Sequence, residues 1–331
     1  MGAPKLSFSP RKGEIFKKLI VICGPTGSGK TSLAISLAKK FNGVIISADS
    51  RQIYKEMDIG TGKILNNQKI KNKKQKCLLL DNIPHYMIDV VRPDQEFTVA
   101  DYQKEVFGIL KKIYQKNQRL IARGRRPIIP FLIGGTGLYI KSIVDGLKIP
   151  SVPPNKNLRK ILEKKNNKEL LKELKKLDPE TAKNIDPQNK RRLIRALEVS
   201  LITHQPFSQQ QKKQRLDIDI LEIGLNLPRQ KLYQRIDQRV DEMIKQGLIE
   251  ETKNLLKNYN ANLPAMSGIG YKEIALFLNK KISLEKACQL IKYRTHAYAR
   301  RQLTWFRKDK RIIWVSKKEE AEKLINEFLK K

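Results

Sequence analysis

Eight consecutive residues, Gly24-Pro25-Thr26-Gly27-Ser28-Gly29-Lys30-Thr31, satisfy GxxxxGK[ST], a pattern that serves phosphate chemistry. The glycines let backbone N–H groups converge on phosphate oxygens, Lys30 adds a point charge, and Thr31 offers a hydroxyl to magnesium. The octet therefore reports a bound di- or triphosphate and leaves open which reaction follows. Asp49, in SADSRQIYKEMDIGTGK, is a second candidate. A carboxylate at a strand end can take a proton from an attacking nucleophile, and the same residue type also caps turns through its own backbone. The segment Gly134-Gly135-Thr136-Gly137-Leu138-Tyr139 would bring backbone and the Thr136 hydroxyl close to a ligand, or simply join a strand to a helix. Arg235 and Arg239 are four apart on one helix face, within reach of a phosphate or of pairing with Asp237 or Asp241.

Two basic clusters point to a polyanion. Lys190, Arg191, Arg192 and Arg195 share one segment. Arg294, Arg300, Arg301 and Arg307 alternate with Tyr293, His296, Tyr298 and Trp305 in another, a mixture suited to RNA phosphates and base stacking. Trp305 and Phe306 are expected in the core.

The elements that must position these groups follow from the apolar pattern. KLIVIC (18–23), VIISAD (44–49) and PIIPFLIGG (127–135) read as buried strands, with helices over 31–41 and 98–115 between them. Thr98 and Asp101 have capping-box spacing. This alternation predicts an α/β fold: a P-loop NTPase-like parallel sheet flanked by helices. Lys-rich 63–76 reads as a mobile surface loop. After SVPP, residues 151–215 lack strand character and carry 17 Lys and Arg against 7 Asp and Glu. They are expected to form an all-helical insertion domain. The core is then 14–150 with 216–331: a strand at 218–227, helices over 227–247 and 283–308, a short strand at 311–315 and a terminal helix.

Composition narrows the function classes. Lys and Arg number 68 against 33 Asp and Glu, a formal charge of +35, which favours a nucleic-acid partner over compositional drift toward Lys, Asn and Ile. Cys23, Cys77 and Cys288 have no CxxC spacing, which argues against a zinc site or disulfide framework and fits a reducing cytoplasm. No apolar run has the ~20 residues of a membrane span. The stretch MGAPKLSFSPRKGEIFKK has no apolar segment behind its charges, unlike a secretory signal.

Eight segments in order resemble the tRNA dimethylallyltransferases of bacterial or organellar type. They are GPTGSGKT (24–31), SADSRQIYKEMDIGTGK (47–63), IPHYMIDV (83–90), GGTGLYIK (134–141), RRLIRALEV (191–199), LYQRIDQRVDEMI (232–244), GIGYKE (268–273) and RRQLTWFR (300–307). The resemblance implies roles for individual residues. Asp49 matches the general base, Thr136 a Thr at the reacting region, and Arg239 with Arg235 the arginines that hold the diphosphate. Asp49 and Thr136 would also meet the tRNA. So would Ser50, Arg51 and Gln52; Arg191, Arg192, Leu193, Ile194 and Arg195; Ser267, Gly268, Ile269, Gly270, Tyr271 and Lys272; and Arg159. Two departures stand out: Gly27 where the family often has Ala, and a 63–76 segment longer than usual. The zinc-finger extension of eukaryotic relatives has no counterpart in this sequence.

The expected reaction moves a dimethylallyl group from its diphosphate to the exocyclic amine of an adenosine beside the anticodon. Mg²⁺ would be the cofactor, tRNA and dimethylallyl diphosphate the partners, and a monomer the working form. Three alternatives compete: a small-molecule kinase on the same fold, an adenylate isopentenyltransferase, and an RNA-binding protein with a vestigial phosphate loop.

Overall fold

The computed structural model describes residues 16–64, 70–72, 77–150, 152–210 and 216–331. Two compact units emerge, Met1–Ile140 with Asp217–Lys331, and Lys141–Leu216. The elements run β1 (Lys18–Cys23), α1 (Lys30–Lys40), β2 (Gly43–Ser47), β3 (Ile70–Asn72), β4 (Cys77–Leu80), β5 (Ile83–Tyr86), α2 (Val99–Ala122), β6 (Ile129–Gly134) and α3 (Gly137–Val144). Then come α4 (Lys156–Glu163), α5 (Asn167–Leu177), α6 (Pro179–Asn184), α7 (Lys190–Thr203) and α8 (Phe207–Gln210). The chain continues through β7 (Asp219–Leu225), α9 (Arg229–Lys245), α10 (Leu248–Asn258), α11 (Tyr271–Leu278), α12 (Leu284–Phe306), β8 (Ile313–Val315) and α13 (Lys318–Lys330).

The larger unit is built on an eight-stranded sheet ordered β3-β4-β5-β2-β6-β1-β7-β8. Strands β5, β2, β6, β1, β7 and β8 are parallel, and β4 pairs antiparallel with both β3 and β5. All six residues of β1 and of β6 are buried, as continuous apolar runs in a doubly covered parallel sheet require. Ile20, Ile22, Phe131, Ile133 and Ile223 pack against Ala34 and Leu37 of α1 and against Ala321 and Ile325 of α13. Each such aliphatic side chain, fully buried, contributes about 1.5–3 kcal/mol. Local signals set the helix starts. Thr98 and Asp101 form the capping box of α2, and the Ser283 side chain accepts the Lys286 N–H at the start of α12.

The smaller unit is helical. Leu170 and Leu174 of α5 interlock with Leu193, Ile194 and Leu197 of α7. Beneath them Glu198, whose side chain is 0% exposed, binds Arg159 and Arg195 at 2.8 and 2.7 Å and accepts the Asn155 N–H.

The sheet carries more than the sequence pattern suggested. Residues 65–69 and 73–76 of the expected mobile loop at 63–76 lie outside the described residues, and the described parts, 63–64 and 70–72, are not a free loop. Residues 70–72 form β3 against β4, a pairing made by backbone groups that leaves no apolar signature. Lys63 is buried and paired with Asp89 at 2.6 Å and Asp58 at 2.9 Å.

Candidate active site

The parallel strands deliver their carboxyl ends to one edge, where α/β sheets bind ligands. After β1 the chain turns through Gly24–Gly29 into α1. Gly29 adopts φ +88°, a left-handed conformation that admits the loop's sharp entry into the helix. Lys30 and Thr31 thus open α1, with Thr31 exposed. Ser28 Oγ is buried without a hydrogen-bond partner among the described residues, an orphan polar atom in the loop.

After β2 comes Asp49. Its Oδ1 accepts the Arg51 N–H at 2.8 Å, so the turn-capping role is real. Oδ2 has no hydrogen bond among the described residues and stays available to accept a proton. After β6, Thr136 Oγ1 accepts the Ser50 N–H at 3.0 Å, fastening the two strand-end turns together. Tyr102 and Tyr139 stack at 3.9 Å, and both feel the Asp49 charge. Tyr298 joins them, its hydroxyl beside Thr136. Burial first, then Asp49, push the Tyr298 hydroxyl up to about 12, so it stays protonated at neutral pH. Asp49 therefore sits beside an aromatic wall.

Helix α9 follows β7 and brings the two arginines. Arg235 Nη1 passes 3.5 Å from where a Cβ would stand at Gly29. Arg239 lies so close to Gly62 that any side chain there would collide with its guanidinium. Neither pairs with Asp237 or Asp241: Asp237 lies 2.9 Å from His296, and Asp241 is 2.7 Å from Lys292. Burial lowers the Lys30 pKa to about 8; Asp49 opposes that shift and Arg239 adds to it. Burial likewise lowers Arg239, against the pull of Asp49. Lys30 and Arg239 thus share one carboxylate, with Arg235 close by at Gly29, and the excess of positive charge favours a polyanion.

The remaining predicted residues separate into two groups. In the larger unit, Arg51 donates to Pro264 O at 2.6 Å and to Ser267 Oγ at 3.1 Å, which draws 50–52 and 267–272 together. Gln52 accepts from Ser47 Oγ at 3.0 Å. Ser267 and Lys272 are exposed, Ile269 is half-buried, and Gly268 and Gly270 are buried. Tyr271 is buried as well, and its hydroxyl donates to Glu251 at 2.7 Å. In the smaller unit, Arg191 and Arg192 are exposed with no ion pair among the described residues.

Several sequence expectations need correction. Leu193 and Ile194 are core side chains of the smaller unit, and Tyr271 is one of the larger, so they serve packing and cannot present side chains to an RNA. Arg159 and Arg195 pair with Glu198, a carboxylate that would be costly to bury unpaired, while staying 36% and 30% exposed, so a contact of theirs with tRNA is a matter for proposal. Trp305, expected in the core, is 42% exposed, with its indole against Gly137.

Some residues carry no signature that sequence spacing could reveal. Glu251 accepts the N–H groups of Asp58, Ile59 and Gly60 at 2.8–3.1 Å and so shapes the loop under Arg239. Gln302, 6% exposed, reaches the phosphate loop from α12. Only its place inside RRQLTWFR could have drawn attention to it.

A P-loop α/β protein with a phosphate loop, buried cations and a carboxylate at one sheet edge is the class that this fold and site define. A model of one family, IPP transferase, matches residues 52–309. The tRNA dimethylallyltransferase of Halothermothrix orenii is 45% identical over 304 residues, covering 89% of this chain and 86% of the relative. That of Thermoanaerobacter sp. (strain X514) is 46% identical over 307 residues, covering 90% and 91%. The crystal structure of the tRNA isopentenylpyrophosphate transferase of Bacillus halodurans aligns with TM-score 0.65 at 35% identity, covering 95% of this chain and 97% of that one. A eukaryotic dimethylallyltransferase acting on tRNA aligns with TM-score 0.69 at 28% identity, covering 94% and 77%. The chain belongs to the IPP transferase family.

Proposed function

We propose that this protein transfers a dimethylallyl group from dimethylallyl diphosphate to the exocyclic amine of the adenosine 3′-adjacent to the anticodon of tRNA, releasing diphosphate. The observation that carries the reading is Asp49: its Oδ2 is open, between phosphate-loop Lys30, Arg239 and the tyrosine wall. The relatives named above act on tRNA or bear that activity in their names.

In this reading the loop amides, Lys30, Arg235 and Arg239 hold the diphosphate and stabilise the charge that builds as it leaves. Half-buried Tyr298 would give the prenyl group an apolar wall, backed by the buried Tyr139–Tyr102 stack. The adenosine of an anticodon loop can be splayed out of its stack at modest cost. Its amine is a weak nucleophile, because the lone pair is delocalised into the ring. Asp49 Oδ2 takes its proton as the carbon–nitrogen bond forms. Thr136 holds the Ser50 turn in register beside Asp49.

Among the described residues no group of three or more His, Cys, Asp or Glu is placed to hold a metal ion. The donors fit magnesium all the same, since that ion is commonly held by few protein oxygens together with substrate phosphates. Thr31 would supply the protein oxygen, and Mg²⁺ when bound would neutralise diphosphate charge. The tRNA would lie against the exposed parts of 50–52 and 267–272 in the larger unit and against Arg191 and Arg192 in the smaller. No helix among the described residues is long and apolar enough to cross a membrane. The reading further places the protein in the cytoplasm as a monomer. The kinase alternative loses support because the relatives and the matching family are named as dimethylallyl or IPP transferases.

Incubation with tRNA and dimethylallyl diphosphate, followed by mass spectrometry of the digested nucleosides, tests the proposal. Prenylated adenosine beside the anticodon is the expected product. Phosphoryl transfer from labelled ATP to a small acceptor, with no prenylated nucleoside, would overturn it.

A further inference from the structure

Helix α12 meets the turn after β6 at three points with helical spacing. The Tyr298 hydroxyl comes up beside Thr136, Gln302 Nε2 donates to Gly135 O at 2.8 Å, and the Trp305 indole packs on Gly137. Positions 298, 302 and 305 lie on one helix face. Gln302 does something its two neighbours do not. Its Oε1 accepts the Thr26 N–H of the phosphate loop, also at 2.8 Å. One buried amide thereby joins two loops that are remote in sequence, donating to one and accepting from the other. A carboxylate of the same shape can only accept, and an aliphatic side chain can do neither.

We infer that Gln302 is a positioning residue that sets the separation between the donor loop and the acceptor turn. The inference rests on the function proposed above. The phosphate loop holds the diphosphate, whereas Asp49 and Thr136 flank the incoming amine, so the amide spans the gap that the new bond must close. In the transfer, the bond from the prenyl carbon to the diphosphate oxygen breaks and diphosphate leaves with the electron pair. The adenosine nitrogen supplies the pair for the new bond, and its proton goes to Asp49. If the two loops drift apart, water competes as the nucleophile, giving dimethylallyl alcohol and a proton. Loss of near-attack geometry is felt in rate rather than in the affinity of either substrate alone.

The test uses Gln302→Leu, which removes both hydrogen bonds, and Gln302→Glu, which keeps the acceptor for Thr26 and loses the donor to Gly135. Labelled dimethylallyl diphosphate and an anticodon stem-loop RNA, both saturating, are reacted and both products counted. In Gln302→Leu, kcat for RNA prenylation should fall about 10–100-fold. Gln302→Glu should fall less. The ratio of dimethylallyl alcohol to prenylated adenosine should rise about tenfold. Binding of inorganic diphosphate alone and of RNA alone should stay within about threefold of wild type. An unchanged product ratio in a folded variant overturns the role of Gln302. So does a drop in kcat that only parallels losses of both affinities and of the melting temperature. Where Gln302→Leu fails to fold, the near-isosteric Gln302→Glu carries the same ratio test. A wild-type protein that makes no prenylated adenosine sinks the function itself, a result distinct from either of these.

Discussion

Replacing Asp49 by Asn should abolish the proton acceptor while leaving the surrounding structure in place. The Asn carbonyl can still accept the Arg51 N–H that Asp49 Oδ1 now accepts at 2.8 Å, so the turn and its link to Thr136 persist. The other carboxylate oxygen becomes an NH₂ group that cannot take a proton. Losing a general base typically costs 10²–10⁴ in rate, about 2.7–5.4 kcal/mol on the barrier. The electrostatic change runs the other way for the donor. Asp49 is the largest charge opposing the lowering of Lys30 and of Arg239. Without it the diphosphate meets the same cations with their nearest competing anion gone, so donor KM should hold steady or fall. Lys30 should also lose its proton more readily than at its present value of about 8, so both proteins should be compared near pH 6.5. Single-turnover prenylation of an anticodon stem-loop, followed over a range of donor concentration, separates the two effects. A single-turnover rate within about threefold of wild type would refute the role of Asp49. A donor KM that rises in step with the fall in rate would refute the charge balance described here.

Arg239→Ala should raise donor KM and lower kcat, because it removes a buried cation from the diphosphate side; a change confined to RNA affinity would show that Arg239 serves another site. Lys30 is charged below about 8, so kcat/KM for the donor should decline as pH rises through that value, and a flat profile from pH 7 to 9.5 would contradict the shift. Replacing Arg191 and Arg192 with Gln should weaken tRNA binding and reduce the log–log salt slope by roughly 0.7 to 0.9 per lost phosphate contact; an unchanged slope in the folded variant moves the footprint elsewhere. Burial alone would raise the Glu198 carboxyl, yet hydrogen bonds from Arg159, Arg195 and the Asn155 N–H outweigh it and hold the group below its usual range. Its stabilisation should be complete above the unfolded carboxylate pKa and be lost as pH falls through the lower folded value, and Glu198→Gln should cost about 1–3 kcal/mol at pH 7 in a melting assay and remove that acid sensitivity.

Some of this protein could be read directly from its order of residues. Continuous apolar runs mark β1 and β6 because a doubly covered strand excludes polar side chains from both faces. The phosphate loop is legible because its chemistry is local: glycines, Lys30 and Thr31 act within a few residues of one another. The helical character of 151–215 is likewise a matter of short-range pattern and caps. What only the tertiary structure decided are contacts between residues far apart in the chain. Spacing alone left Arg235 and Arg239 free to pair with Asp237 and Asp241; the fold turned those aspartates toward His296 and Lys292 and the arginines toward Gly29 and Gly62. Arg159 and Arg195 look no different in sequence from Arg191 and Arg192, but a buried carboxylate thirty-nine and three residues away claims them. Gln302 has neither charge nor motif of its own, and its hydrogen-bond partners lie 276 and 167 residues distant. Periodicity records which face of an element is buried, whereas a hydrogen bond between two loops depends on where the whole sheet places them.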